Sequence, residues 1–177
     1  MKRFLFLFIV PLLFNGNALF SQTFSWIDDE EKGYQIPIGS GDYEELKEGA
    51  FYEEMMEYYD SYIVDISIIQ QIKEVLAVQF SDKQWHIDVV FGAWCGDSKE
   101  HLPHFYKIIQ NSHLFEWKEV TLIATDRDKK AGELNIEDLK IEFVPTFIFY
   151  VDGKEIGRIV ETPEESLEKD LLKIIID

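Results

Sequence analysis

A single cysteine lies at the point where an apolar run gives way to a helical pattern. The run Ile87–Phe91 is followed by Trp94-Cys95-Gly96-Asp97-Ser98, and a helical pattern begins at Ser98. A thiol at a strand-to-helix turn meets free backbone N–H groups and the helix dipole, which stabilise a thiolate. Since Cys95 is the only cysteine in the chain, the site can attack a disulfide but cannot close one within itself.

The residues around Cys95 carry a family resemblance. The stretch Val89-Val90-Phe91-Gly92-Ala93-Trp94-Cys95-Gly96-Asp97-Ser98-Lys99 resembles the active-site segment of the thioredoxin superfamily, with Ser98 in place of the second cysteine. Pro103 falls where this family commonly has the proline that kinks the active-site helix. Further on, Val144-Pro145-Thr146-Phe147 resembles the cis-proline strand, and Asp152-Gly153-Lys154 the turn of the final hairpin. The resemblance covers residues 85–177.

The resemblance implies an α/β fold, a thioredoxin-like three-layer sandwich in which a mixed sheet has helices on both faces. The hydrophobic pattern agrees with this, since strands at 85–91, 120–125, 146–151 and 155–160 alternate with helices at 98–110 and near 135–139. Asp65 is the predicted N-cap of the helix before the first of these strands. The sequence places Thr162 as N-cap of the last helix, with Glu165 completing a capping box.

The N-terminal residues read as an export signal. Lys2 and Arg3 precede an apolar run over residues 4–14, and that run is shorter than the roughly 20 apolar residues of a membrane span. We therefore expect a signal peptide at 1–21, export to the periplasm or the medium, and no stable membrane insertion after cleavage. Residues 22–62 are predicted to form an extension with an extended lead-in and one helix, and residues 63–177 the thioredoxin-like domain.

The net charge of the chain excludes some classes of binding partner. The chain has 34 acidic and 17 basic residues, a net charge of −17. Such a surface repels nucleic-acid phosphates and anionic lipid. The expected partners are disulfides or thiols of proteins or small molecules, bound by a monomer that carries no cofactor and no metal.

The resemblance assigns roles to individual residues. Cys95 is the predicted nucleophile and Ser98 its catalytic neighbour, with a hydroxyl expected to donate a hydrogen bond to the sulfur. A second thiol must come from outside the chain, which favours isomerisation, deglutathionylation or reductase-like exchange. The predicted substrate-binding residues lie on both sides of the sulfur, with a cis bond expected at the proline: Trp94, Gly96, Asp97, Val144 and Pro145.

Two residues predict a slow thiol. Asp97 places a negative charge beside the sulfur, which disfavours a thiolate. The position of the family's buried acid is occupied by Val89, while Asp88 points to the opposite face of the strand. Asp88 shares its face with His86, and a simple hydrogen bond between the two is expected.

Other readings of the motif remain open. The main alternative is a redox-inactive module that keeps the fold and its peptide groove. Cys-Gly-Asp-Ser is also similar to the Cys-Gly-Phe-Ser site of monothiol glutaredoxins, although Trp94 and the acidic third residue argue against that class. A peroxiredoxin is disfavoured by Gly92, which stands where that family has a threonine. A metal site using His101 and His104 is less favoured than solvent-facing or edge-packed histidines.

Overall fold

A mixed six-stranded sheet organises the molecule. The computed structural model describes residues 23–113 and 119–176, so the predicted signal peptide lies outside the described residues. The strands run in the order β1-β2-β4-β3-β5-β6, with β3 parallel to β4 and the other neighbours antiparallel. Their bounds are β1 Ser25–Asp29, β2 Tyr34–Gly41, β3 Trp85–Phe91, β4 Val120–Ala124, β5 Thr146–Val151 and β6 Lys154–Val160.

The central strand β3 positions the cysteine motif. Its C-terminal half, Val89 to Phe91, is fully buried, as expected for an apolar strand that is covered on both faces. The observed bounds of β3 and β5 are those predicted, and β4 and β6 differ from prediction by one residue each. The chain therefore leaves the sheet at Gly92, directly before the site.

Five α-helices lie in the described ranges, and none of them combines the length and apolarity that a membrane crossing requires. Buried side chains from every one of them join a single core with Ile87, Val89 and Phe91 of β3. Their bounds are α1 Tyr43–Leu46, α2 Ala50–Tyr59, α3 Ile66–Gln79, α4 Gly96–Ser112 and α5 Leu167–Ile176.

The opposite face of the sheet is covered by the connection that follows β4. Val90 and Ile123 pack there against Ala131, Ile136 and Val144. This connection contains a short 3₁₀ helix, Glu137–Leu139, at the place where a short helix was predicted. The sheet thus lies between a helical layer and this connecting layer, and the α/β thioredoxin-like fold is confirmed.

The N-terminal segment is more structured than predicted. The lead-in forms β1 and β2, and β2 joins the main sheet through Gly39–Gly41 paired with β4. The single predicted helix is two, because α1 ends at its C-cap Lys47 and Gly49 is the N-cap residue of α2. A Cβ on Gly49 would lie 2.5 Å from the Trp26 ring, so the indole of β1 occupies the space that a side chain would need.

The two predicted helix caps have different outcomes. Asp65 caps α3 as predicted, since its carboxylate accepts hydrogen bonds from the backbone N–H groups of the first turn. The predicted cap at Thr162 is wrong, because α5 starts at Leu167 and Ser166 Oγ accepts from the Lys169 N–H at 3.2 Å. The Asp170 carboxylate accepts from the N–H groups of residues 164 and 165, and this competing turn keeps those residues out of the helix.

Candidate active site

Cys95 occupies the N-cap position of α4, the 17-residue helix that follows β3. Its N–H donates to the Gly92 carbonyl at 2.9 Å, and its own carbonyl accepts from the Lys99 N–H at 3.2 Å. The helix begins at Gly96, two residues earlier than predicted, so the thiol adjoins the first helical turn. The cysteine is partly exposed. Its position gives a developing thiolate the favourable end of the helix dipole.

The sulfur also has two hydrogen-bond acceptors beside it. The thiol donates to the Val144 carbonyl at 3.2 Å, and Asp97 Oδ2 lies 3.8 Å from the sulfur. The thiol has one proton, and the Val144 carbonyl is the nearer of the two acceptors. The Asp97 carboxylate lies beside the sulfur, as the sequence predicts.

The loop opposite Cys95 contains a cis peptide bond between Val144 and Pro145, as predicted. Both residues are buried, and the Pro145 carbonyl accepts from the Glu161 N–H at 2.7 Å. Within the described ranges no hydrogen bond engages the Val144 N–H. Phe143, the residue before it, is half-exposed. The loop thus places the Val144 carbonyl 3.2 Å from the sulfur, with the half-exposed Phe143 as the preceding residue.

Ser98 lies one helical turn after Cys95 and is fully buried. Its Oγ accepts a hydrogen bond from the Gly92 N–H at 3.1 Å. The expected hydrogen bond from this hydroxyl to the sulfur is not found among the described residues, because the side chain points beneath the loop. Ser98 therefore holds the loop between β3 and α4, and its role in catalysis stays a prediction.

Trp94 forms the other side of the site. Its indole Nε1 donates to the Thr125 carbonyl at 2.9 Å, and the Arg127 guanidinium lies 5.6 Å from the ring centroid. A Cβ on Gly92 would come within 2.6 Å of the indole, so glycine is required there. Sequence reasoning missed Thr125 and Arg127. The parallel pairing of β3 with β4, whose ends meet at one edge of the sheet, is the signal that could have found them.

The two histidines of α4 are buried, contrary to the expectation of exposed or edge-packed rings. His101 and His104 are each 7% exposed, and His104 stacks on Tyr62 at 4.2 Å between ring centroids. Burial lowers the pKa of His101, and burial together with His101 lowers the pKa of His104 to about 4. Across the described residues, no three or more His, Cys, Asp or Glu side chains are grouped to hold a metal.

Asp88 and Val89 lie on opposite faces of β3, as predicted. Val89 is fully buried in the helical core, and Asp88 Oδ1 lies 2.7 Å from His86 Nε2 on the other face. This hydrogen bond raises the pKa of His86. The family's buried acid is therefore replaced by an aliphatic side chain, and Asp88 is engaged elsewhere.

Comparison with known proteins places the chain. A family model described as Thioredoxin matches residues 45–171. Mitochondrial thioredoxin O of Oryza sativa subsp. japonica is 25% identical over 119 residues, 63% of this chain and 66% of the relative. Mitochondrial thioredoxin-3 of Saccharomyces cerevisiae is 28% identical over 81 residues, 46% of this chain and 58% of the relative. The matches thus span less than two thirds of these relatives.

The crystal structure of a Pseudomonas aeruginosa protein of unknown function has a similar fold (TM-score 0.50, 14% identity, 77% of this chain and 98% of that one). Because the matching model spans well over half of its residues, the chain belongs to the thioredoxin family.

Proposed function

We propose that this protein is an exported, monothiol thioredoxin-like protein that exchanges thiols and disulfides through Cys95. The observation that carries the proposal is the position of the thiol. Cys95 is the N-cap residue of α4 and is partly exposed, and its sulfur lies 3.2 Å from the carbonyl of Val144 in the cis-proline loop. A partly exposed sulfur next to a backbone N–H that has no hydrogen-bond partner among the described residues supports attack on the disulfide of an extended chain.

The proposed step conserves electrons. The Cys95 thiol gives its proton to solvent, and the thiolate attacks one sulfur of the substrate disulfide. The old S–S bond breaks, a mixed disulfide with Cys95 forms, and the released substrate sulfur leaves as a thiolate that takes up a proton. Since the chain has one cysteine, a second thiol from the substrate, a small molecule or another protein must attack the mixed disulfide. This requirement favours isomerisation, deglutathionylation or reductase-like exchange.

Substrate is proposed to dock across the two sides of the site. An extended peptide would accept a hydrogen bond from the Val144 N–H and lie against Phe143 and Trp94. Gly96 leaves the approach open, because a Cβ placed there would have no heavy atom within 4 Å. Backbone pairing of this kind tolerates many side chains, which suits a protein that acts on disulfides in varied sequences.

Trapping of partners tests the thiol function. Wild-type protein incubated with oxidised substrate proteins is expected to form mixed disulfides that thiol reductants release, and Cys95→Ala is expected to form none. Exchange with a disulfide-linked peptide should likewise fall to background in Cys95→Ala. Equal activity of the two proteins would refute the proposal. Export is tested separately by N-terminal sequencing of protein from the producing cells, where loss of residues 1–21 is expected and a retained N-terminus contradicts it.

A redox-inactive binding module is the second candidate. Val89, an aliphatic residue buried at the position of the family's acid, favours it. This function predicts that Cys95→Ser binds peptide with unchanged affinity and that wild-type protein yields no mixed disulfides. The trapping experiment therefore separates the two functions.

A further inference from the structure

The end of β1, where the following turn begins, reaches the region of the active site through an ion pair. Asp29, whose side chain is 7% exposed, accepts two hydrogen bonds from Arg127, Nε to Oδ2 at 3.2 Å and Nη2 to Oδ1 at 3.1 Å. The Lys32 N–H also donates to Asp29 at 2.8 Å, which fixes the carboxylate. Two parallel bonds of this kind hold a guanidinium in one orientation.

The guanidinium held in this way covers one face of Trp94. It lies 5.6 Å from the centroid of the indole, within the range of a cation–π contact. Two residues earlier, the Thr125 carbonyl accepts the indole N–H. The connection after β4 therefore contacts Trp94 at its ring face and at its ring nitrogen. The indole also packs directly on Gly92, where a Cβ would collide with the ring.

We propose that Arg127, fixed by Asp29, is a positioning residue that holds Trp94 in the orientation needed to dock an extended disulfide substrate. This inference rests on the proposed function of Cys95. It adds a role for β1 and its turn, which lie before residues 45–171, the part of the chain that matches the family model. Neither Arg127 nor Asp29 touches the reacting sulfur in this role, since both act through the indole.

The effect should depend on the size of the reagent. If the indole is free to move, peptide docking must also order this side chain, which should make the reaction about two- to tenfold slower. A small alkylating reagent needs no docking surface. Loss of Arg127 should therefore slow exchange with a peptide disulfide by about that factor and leave alkylation of Cys95 by iodoacetamide within about twofold of wild type.

The experiment compares full-length variants on both reagents. Arg127→Gln and Asp29→Asn remove the pair from either end, and the amide oxygen introduced by Asp29→Asn can still accept from the Lys32 N–H. The double variant should be no slower than the slower single variant, because the two residues act as one unit. Arg127→Lys keeps the cation without the paired hydrogen bonds and should fall between wild type and Arg127→Gln. Lys32→Gln removes another ion pair of the same turn, Lys32 with Glu54, and should leave peptide exchange unchanged.

A spectroscopic measurement reports on Trp94 directly. The indole N–H resonance, assigned by its absence in Trp94→Phe, should exchange with solvent faster in Arg127→Gln than in wild type or Lys32→Gln. Unchanged peptide exchange and an unchanged indole signal in Arg127→Gln would overturn the positioning role while leaving the thiol function intact. Peptide exchange that is equal in Cys95→Ala and wild type would instead overturn the proposed function itself.

Discussion

Lowering the pH from 7 to 5 should destabilise this protein through His104. The ring is 7% exposed and stacks on Tyr62. Its Nε2 is buried without a hydrogen-bond partner among the described residues. Burial, with the neighbouring His101, lowers its pKa from 6.5 to about 4 in the folded state. Protonation therefore favours the unfolded chain, where the ring recovers its water.

The sign and size of this pH effect follow from the pKa of His104 in the folded and in the unfolded state. The stabilisation is complete above pH 6.5 and is lost as the pH falls toward 4, because only the unfolded state takes up the proton in that window. With a folded pKa of about 4 against 6.5 unfolded, the loss between pH 7 and pH 5 is about 2 kcal/mol. His101, whose pKa is also lowered, adds a loss of the same sign. His86, whose pKa is raised by Asp88, opposes it.

Urea unfolding at pH 7 and pH 5 measures the effect. His104→Phe keeps a ring against Tyr62 but cannot titrate, so its free energy of unfolding should fall by about 2 kcal/mol less than that of wild type over the same interval. His113, an exposed histidine at the end of α4, provides the control, and His113→Asn should keep the wild-type difference. Equal losses in wild type and His104→Phe would refute the reasoning.

Three further predictions concern the site. Asp97→Asn removes the charge 3.8 Å from the sulfur and should speed iodoacetamide alkylation of Cys95 at neutral pH by about three- to tenfold. An unchanged alkylation rate would contradict the role given to the carboxylate. Ser98→Ala leaves the buried Gly92 N–H unpaired and should lower the free energy of unfolding by about 1–3 kcal/mol. The alkylation rate of Cys95 should change little, and loss of alkylation would indicate a direct role for the hydroxyl. Gly92→Ala forces a Cβ into the indole of Trp94 and should slow peptide exchange more than alkylation, which equal effects on the two reactions would disprove.

The parts of the fold predicted well are those with strong local signals. β3 and β5 are apolar, β-branched runs with clear ends, and their observed bounds are the predicted ones. The cis bond at Pro145 followed from its place relative to Cys95 in the family pattern. These features depend on residues close in sequence, or on a spacing that the family shares.

The parts predicted poorly depend on contacts between distant segments. Pro37 and the glycines of β2 predict an extended or partly ordered lead-in, yet Ile36 and Ile38 are buried and Gly39 pairs with Ala124. The sequence predicts a solvent-facing or edge-packed ring for His104, because Tyr62, which covers it, belongs to a segment outside the resemblance. Similarly, no local pattern indicates that Asp29 and Arg127, 98 residues apart, form an ion pair.

The outer strands of the sheet bear on how a protein of this kind avoids self-association. In the described chain β1 and β6 each pair on one side only, and a bare strand edge can recruit any extended polypeptide. β1 is only five residues long and ends in two aspartates, while β6 carries the Arg158–Glu155 ion pair and faces a register shift in β5. Short length, charge and irregularity are the devices that discourage edge-to-edge aggregation. Under the proposed function, an extended disulfide substrate would therefore bind beside Cys95 in preference to these edges.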